Sequence, residues 1–425
     1  MRLRHALPAG LLDAGFASLA RLAVGVYAAR ALTVSDLGAY ALFFSAFVFA
    51  IVVPMQFVLV PAELATLPAA RRERLALLRQ SWRIGTPTAS AIAVVASVAA
   101  ALGAEAPASV AGPLTLTMVA CATLTPLQEH VRRVLHLAGI SWHAAVVSLV
   151  QFGGVVAALV LLAWVGVPAI WRPFGALTIA TVASLQSGLL LSRWRLQPAT
   201  LPRYEVPDLM RAGRWLLAIE AITAGGTFLA SVLVTQLDTP EALGYAEAAR
   251  VVAQPLFVLA VGLLSVFNPR AMEAGASRDR AVARQVARPY TVLLVAIGLV
   301  YGALTAAPWW GNPLGALVPQ AYVVTGLVPA TVASFVLFGL PMIPRSELTG
   351  AGRERVLPQV GLVAATLQCA AALSAVWIGA FARPLGVALF GVVLLLGYAY
   401  HQRVVYKAGE VVPSQAGGRS DGIPS

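Results

Sequence analysis

Six charged residues interrupt stretches that are otherwise apolar: Asp13, Arg21, Arg30, Glu220, Glu247 and Arg250. A charge at membrane depth costs about 2.5–3.5 kcal/mol even on lenient scales, so such residues are functional candidates by default. Arg21 lies near the middle of its run with no acidic residue one helical turn away. A guanidinium there could grip phosphate oxygens through its forked donors, or pair with a neighbouring helix. Arg250 has Glu247 three residues before it on the same helical face, so an intrahelical ion pair and an anion-binding role both fit. Arg30, at the end of its run, suits an interfacial anchor or a ligand contact. Asp13, Glu220 and Glu247 are carboxylates that could take part in ion coupling, and Asp13 equally suits a helix cap.

Other chemistries find no footing. There is no Gly-rich phosphate loop, nucleophile elbow or paired-carboxylate motif, so the residues point to no enzyme and no cofactor. His130, His136 and His143 share no helical face, which excludes a metal ligand set. Cys121 and Cys369 each lie inside an apolar run and read as packing residues rather than a disulfide.

The elements that must position these groups are membrane spans. Only 11% of the 425 residues are charged and 59% are hydrophobic, with a mean hydropathy of +0.81. A soluble domain carries about 25% charged residues. The net charge of +12 is dispersed as arginines between apolar runs, which fits anionic lipid headgroups and excludes a nucleic-acid-binding domain. Twelve runs are long enough to span a bilayer core: 9–31, 38–62, 84–103, 112–131, 144–166, 173–193, 213–235, 244–268, 288–307, 315–340, 357–379 and 384–405. The first is too long for a signal peptide and reads as a retained span.

Of the 30 basic residues, 25 fall in every second gap, while the intervening gaps hold only Arg30, Arg172 and Arg383. Cytoplasmic loops collect Lys and Arg, so both termini are expected inside and the span count even. No exported loop is expected to exceed about a dozen residues, which leaves no room for an external catalytic domain. The longest cytoplasmic connection, broken by Pro198, Pro202 and Pro207, falls at mid-chain. The expected division is a six-helix bundle over 1–195, a linker over 196–212, a second bundle over 213–407 and a disordered tail over 408–425.

The halves carry matching landmarks. Ser35-Asp36-Leu37-Gly38-Ala39-Tyr40 opens the second run and Glu241-Ala242-Leu243-Gly244-Tyr245-Ala246 the eighth; each run reaches a proline, Pro61 and Pro269, before an Arg-rich loop. Arg133 through Gly139 corresponds loosely to Arg345 through Gly352. Because six is even, duplicated halves share one orientation, and a substrate would sit between them.

The segment Leu22 to Tyr40, the turn Arg132-Arg133-Val134-Leu135-His136-Leu137-Ala138-Gly139 and the run Gly244 to Arg250 resemble Wzx-type polysaccharide flippases. These belong to the multidrug/oligosaccharidyl-lipid/polysaccharide (MOP) exporter superfamily. The resemblance covers nearly the whole chain, although each motif is degenerate. It implies an all-α integral membrane protein with twelve transmembrane helices in two parallel pseudo-symmetric six-helix bundles. It further implies alternating access, in the bacterial inner membrane, for an undecaprenyl-diphosphate-linked glycan. Arg21, Arg250 and Arg30 would then face substrate, and glycan polymerase or glycosyltransferase machinery would be the protein partner. Sister readings are a MATE-like drug exporter and a lipid II transporter. A polyprenyl-linked membrane glycosyltransferase or polymerase is the rival from another class.

Overall fold

The computed structural model describes residues 3–65, 71–192, 206–307 and 312–410. Its principal helices are α1 (Leu3–Ala31), α2 (Val34–Pro54), α3 (Arg71–Gly103), α4 (Ala108–Leu137), α5 (Ser141–Trp164) and α6 (Arg172–Leu191). They continue with α7 (Val206–Leu237), α8 (Pro240–Ser277), α9 (Arg280–Ala306), α10 (Leu327–Gly339), α11 (Val356–Ala372) and α12 (Ala382–Glu410). A π-turn over Met55–Leu59 and the helix Val60–Ala65 prolong α2, and Met342–Gly350 prolongs α10. Among the described residues, eleven helical stretches are long and apolar enough to cross a membrane, and Val356–Ala372 is apolar but shorter.

Several boundaries differ from the sequence expectation for local reasons. The expected span over 315–340 begins only at Leu327, because Pro313 and Pro319 flank short helical turns and Gly326 takes a φ of 82°. The connection over 307–326 is therefore longer than the dozen residues expected. The run over 357–379 stops as a helix at Ala372, and Gly379 adopts a φ of 53° before α12 starts. Pro61 and Pro269 end nothing; both lie inside helices. At mid-chain α7 already begins at Val206, so Pro207 sits in a first helical turn, where its missing N–H has no partner to lose. The rest of the linker and most of the tail, 193–205 and 411–425, lie outside the described residues.

The neighbour pattern repeats. In the first half α1 packs on α5, α5 on α6, α6 on α4, α4 on α3, and α2 on both α3 and α4. In the second half α7 packs on α11, α11 on α12, α12 on α10, α10 on α9, and α8 on both α9 and α10. The halves meet where α2 lies against α7 and α8, and α1 against α8.

That junction explains the Leu-Gly landmarks. Thr33 and Thr239 cap α2 and α8, accepting hydrogen bonds from the backbone N–H groups of Asp36 and Ala242. Gly38 and Gly244 then sit equally far into their helices and face the opposite half. A Cβ on Gly38 would lie 1.8 Å from the Pro240 carbonyl oxygen, and one on Gly244 would lie 2.0 Å from that of Val34. Only glycine allows so close a crossing of two backbones. Further along, Gly213 of α7 presses on the π-turn of α2, where a Cβ would lie 2.5 Å from the Gln56 carbonyl oxygen.

Candidate functional site

The charged residues form three groups. In the first half, the spacing of Glu129, Arg132 and His136 puts all three on the face of α4 turned to α1. Arg132 grips Asp13 with both arms of its guanidinium: Nε donates to Oδ1 at 2.9 Å and Nη2 to Oδ2 at 2.7 Å. Ser148 of α5 donates to Asp13 Oδ1 at 2.6 Å, and His136 Nε2 lies 3.0 Å from Oδ2. Glu129 accepts from Arg132 at 3.0 Å and from Arg21 at 2.8 Å. Arg21 thus finds its partner across helices, which no spacing within α1 could reveal. Its side chain stays 43% exposed while that of Arg132 is 8% exposed.

One step round α4, His130 bridges two other helices. Its Nδ1 lies 2.6 Å from Glu63 of the α2 extension and its Nε2 lies 2.8 Å from Ser81 of α3. Arg133 stands 3.9 Å from Glu63. His130 and His136 therefore serve different carboxylates, and among the described residues no cluster has the makings of a metal site. Asp13, Glu63 and Glu129 are thus each paired with an arginine here.

In the second half Glu220 of α7 bonds Arg345 of the α10 extension. This mirrors Asp13 with Arg132: in both halves a carboxylate on the first helix holds an arginine of the fourth. Arg132 and Arg345 lie equally far ahead of Gly139 and Gly352, which take φ values of 74° and 69° where their helices end.

The third group sits between the halves. Glu247 is fully buried (0% exposed) and accepts from Arg250 Nε and Nη2, both at 2.7 Å. Arg250 Nη1 donates to Gln254 at 2.7 Å, and the guanidinium lies 4.8 Å from the ring centre of Phe44 on α2. Arg383 of α12 approaches the same carboxylate at 3.6 Å and donates to Ser45 of α2 at 3.2 Å. Among the described residues, Arg383 Nη1 and Tyr40 Oη are buried without a hydrogen-bond partner. One carboxylate faces two arginines, leaving an excess positive charge in a low-dielectric setting, where an uncompensated ion is costly. The helix that carries Arg21, α1, borders the same junction. Gly25, one turn further along its face of α1, packs on Val251, and a Cβ there would lie 4.0 Å from Arg250 Nη2.

Arg30 is set apart. Its Nη1 donates to the carbonyls of Gly315 and Ala316 at 3.1 and 2.6 Å, and Tyr322 donates to the Leu32 carbonyl at 2.7 Å. Three hydrogen bonds thus tie the end of α1 to the long loop of the other half. Sequence reasoning singled out Asp13, Arg21, Arg30, Glu220, Glu247 and Arg250 but missed Arg132, Arg345 and Arg383. Arg383 carried one faint signal, as one of the few basic residues outside the Arg-rich gaps.

No protein-family model matches the sequence, and no curated protein sequence matches it. Solved structures do. An inward-facing multidrug-resistance MATE family transporter of the MOP superfamily aligns over 93% of this chain and 96% of its own, with TM-score 0.70 and 13% identity. An outward-facing MATE family transporter covers 96% of both chains with TM-score 0.61 and 15% identity. So does a MOP superfamily transporter from Pyrococcus furiosus, at TM-score 0.61 and 13% identity, for which reverse polarity of the binding pocket suggests a different function. Identities this low establish the fold alone. With eleven apolar helices of spanning length, the chain is a multi-pass membrane protein of MATE-like transporter fold.

Proposed function

We propose that the protein is a twelve-span flippase with both termini in the cytoplasm. It would move an undecaprenyl-diphosphate-linked oligosaccharide or polysaccharide repeat unit across the bacterial inner membrane by alternating access. The observation that carries this reading is the positive excess of Glu247, Arg250 and Arg383 between two similarly packed halves. A diphosphate is the complementary ligand, because guanidinium forks match phosphate oxygens. Arg21, exposed on the α1 side, offers a second cationic contact. Arg30 contributes at the exported end. Asp13, Glu220 and Glu247 each hold an arginine, so ion coupling through them proceeds by exchange of that partner.

The neighbours favour a second reading, a MATE-like exporter of drugs. A cationic drug would call for surplus carboxylate at the junction, whereas the surplus here is arginine. Complementation separates the two: the chain should restore glycan export in a strain lacking its own flippase, and Arg21→Ala should abolish export while the protein still inserts. Drug resistance without glycan export supports the exporter instead.

A further inference from the structure

Two arginines outside the Arg-rich gaps, Arg30 and Arg172, converge on one membrane-facing feature. A groove of about 610 Å³ runs between α1 and α5, walled by Leu19, Leu22 and Val26 on one side and Val156 and Val160 on the other. Leu19, Val156 and Val160 are exposed, so the groove opens outward from the helices rather than toward the other half. Tyr27 and Arg30 line its end. Arg172, at the start of α6, donates from Nη1 to Tyr27 Oη at 2.7 Å and from Nε to the Val167 carbonyl at 2.5 Å. Arg30 uses only Nη1, so among the described residues Nε and Nη2 of Arg30 and Nη2 of Arg172 remain as donors.

An apolar trough with one guanidinium lining its end, Arg30, and a second, Arg172, bonded to the lining Tyr27 matches a lipid in shape and charge, with hydrocarbon along the trough and phosphate at the arginines. On the orientation proposed above, those arginines stand at the exported surface, where basic residues are otherwise scarce. We infer that this groove binds one anionic phospholipid of the outer leaflet, its headgroup phosphate held by Arg30 and Arg172. Arg30 also ties α1 to the loop at Gly315 and Ala316, so the headgroup and the loop carbonyls draw on one side chain. The bound lipid thereby acts on the contact that joins the halves at this end.

The test uses the full chain in nanodiscs of mixed phosphatidylglycerol and phosphatidylcholine, read by native mass spectrometry. An arginine near a membrane surface favours an anionic headgroup by about 5-fold, so two give roughly 30-fold. The wild type should retain one phosphatidylglycerol at close to that preference. Arg30→Gln with Arg172→Gln should erase the preference, and Val156→Trp, which fills the groove from an exposed position, should abolish retention of either lipid. Equal retention of the two lipids by the wild type overturns the inference, as does an unchanged preference in the arginine variant or unchanged retention in Val156→Trp. Stronger retention of an added polyprenyl phosphate over phosphatidylglycerol overturns the assignment to a phospholipid. Binding is read without any transport step, so a negative result leaves the flippase reading standing.

Discussion

Adding a single methyl group at the glycine crossing should separate the halves at the end proposed to be exported. Gly38→Ala would bring a Cβ within 1.8 Å of the Pro240 carbonyl oxygen and Gly244→Ala within 2.0 Å of that of Val34, against a working minimum of 3.0 Å. Backbone atoms cannot rotate aside, so α2 and α8 must part by about 1 Å at each position. Overpacking of this kind costs about 1–3 kcal/mol. If the crossing exists only while the exported end is closed, that cost falls on the closed state alone. The closed-to-open ratio then drops by about 5- to 150-fold. Spin labels on Ser109→Cys and Gly315→Cys, one in each half, would report the change by electron–electron resonance once Cys121 and Cys369 are replaced. Both label sites are exposed, and a Cβ at Gly315 meets nothing within 4 Å. The expected result is a longer and broader distance distribution in either alanine variant. An unchanged distribution in both variants would refute the reasoning, because the crossing could not then be what closes that end.

Asp13→Asn should leave Arg132 with Glu129 as its one remaining carboxylate and lower stability by about 1.5–3 kcal/mol, seen as a reduced thermal midpoint in detergent. Adding Arg132→Met should recover part of the loss, and a purely additive double variant would deny the pairing. Tyr322→Phe removes one and Arg30→Gln two of the bonds that tie α1 to the long loop, at about 0.5–1.5 kcal/mol per bond. Both should raise thiol labelling of Gly315→Cys, and unchanged labelling would mean the loop is held elsewhere. Reporter fusions at Ser109 and Thr239 should signal from outside and those at Arg74 and Arg203 from inside; an exported signal at Arg203 would overturn the proposed topology.

The all-helical, membrane-spanning character was legible from apolar run length, and the Leu-Gly and Arg-to-Gly landmarks were legible as repeats. Why those landmarks recur was not. Gly38 and Gly244 repeat because each lies against the other half's backbone, a contact separated by about half the chain and invisible to local pattern. The start of α10 was misplaced because Val318 and Val323 keep the loop hydrophobic, so its boundary rests on Pro319 and Gly326 rather than on polarity. The i,i+3 pair of Glu247 with Arg250 was readable from spacing. Arg21 with Glu129, Glu220 with Arg345 and Arg383 with Glu247 were not, since each joins different helices.

The central claim is that the arginine surplus between the halves holds the diphosphate of a lipid-linked glycan. Its most direct test is flipping of an undecaprenyl-diphosphate-linked oligosaccharide by purified protein in proteoliposomes, comparing the wild type with the Arg250→Gln, Arg383→Gln variant. Charge-assisted hydrogen bonds of about 1.5–3 kcal/mol predict a loss of roughly 10- to 150-fold in a variant that still inserts and purifies as the wild type does. Flipping at the wild-type rate without either arginine, or none by the wild type itself, would contradict the account.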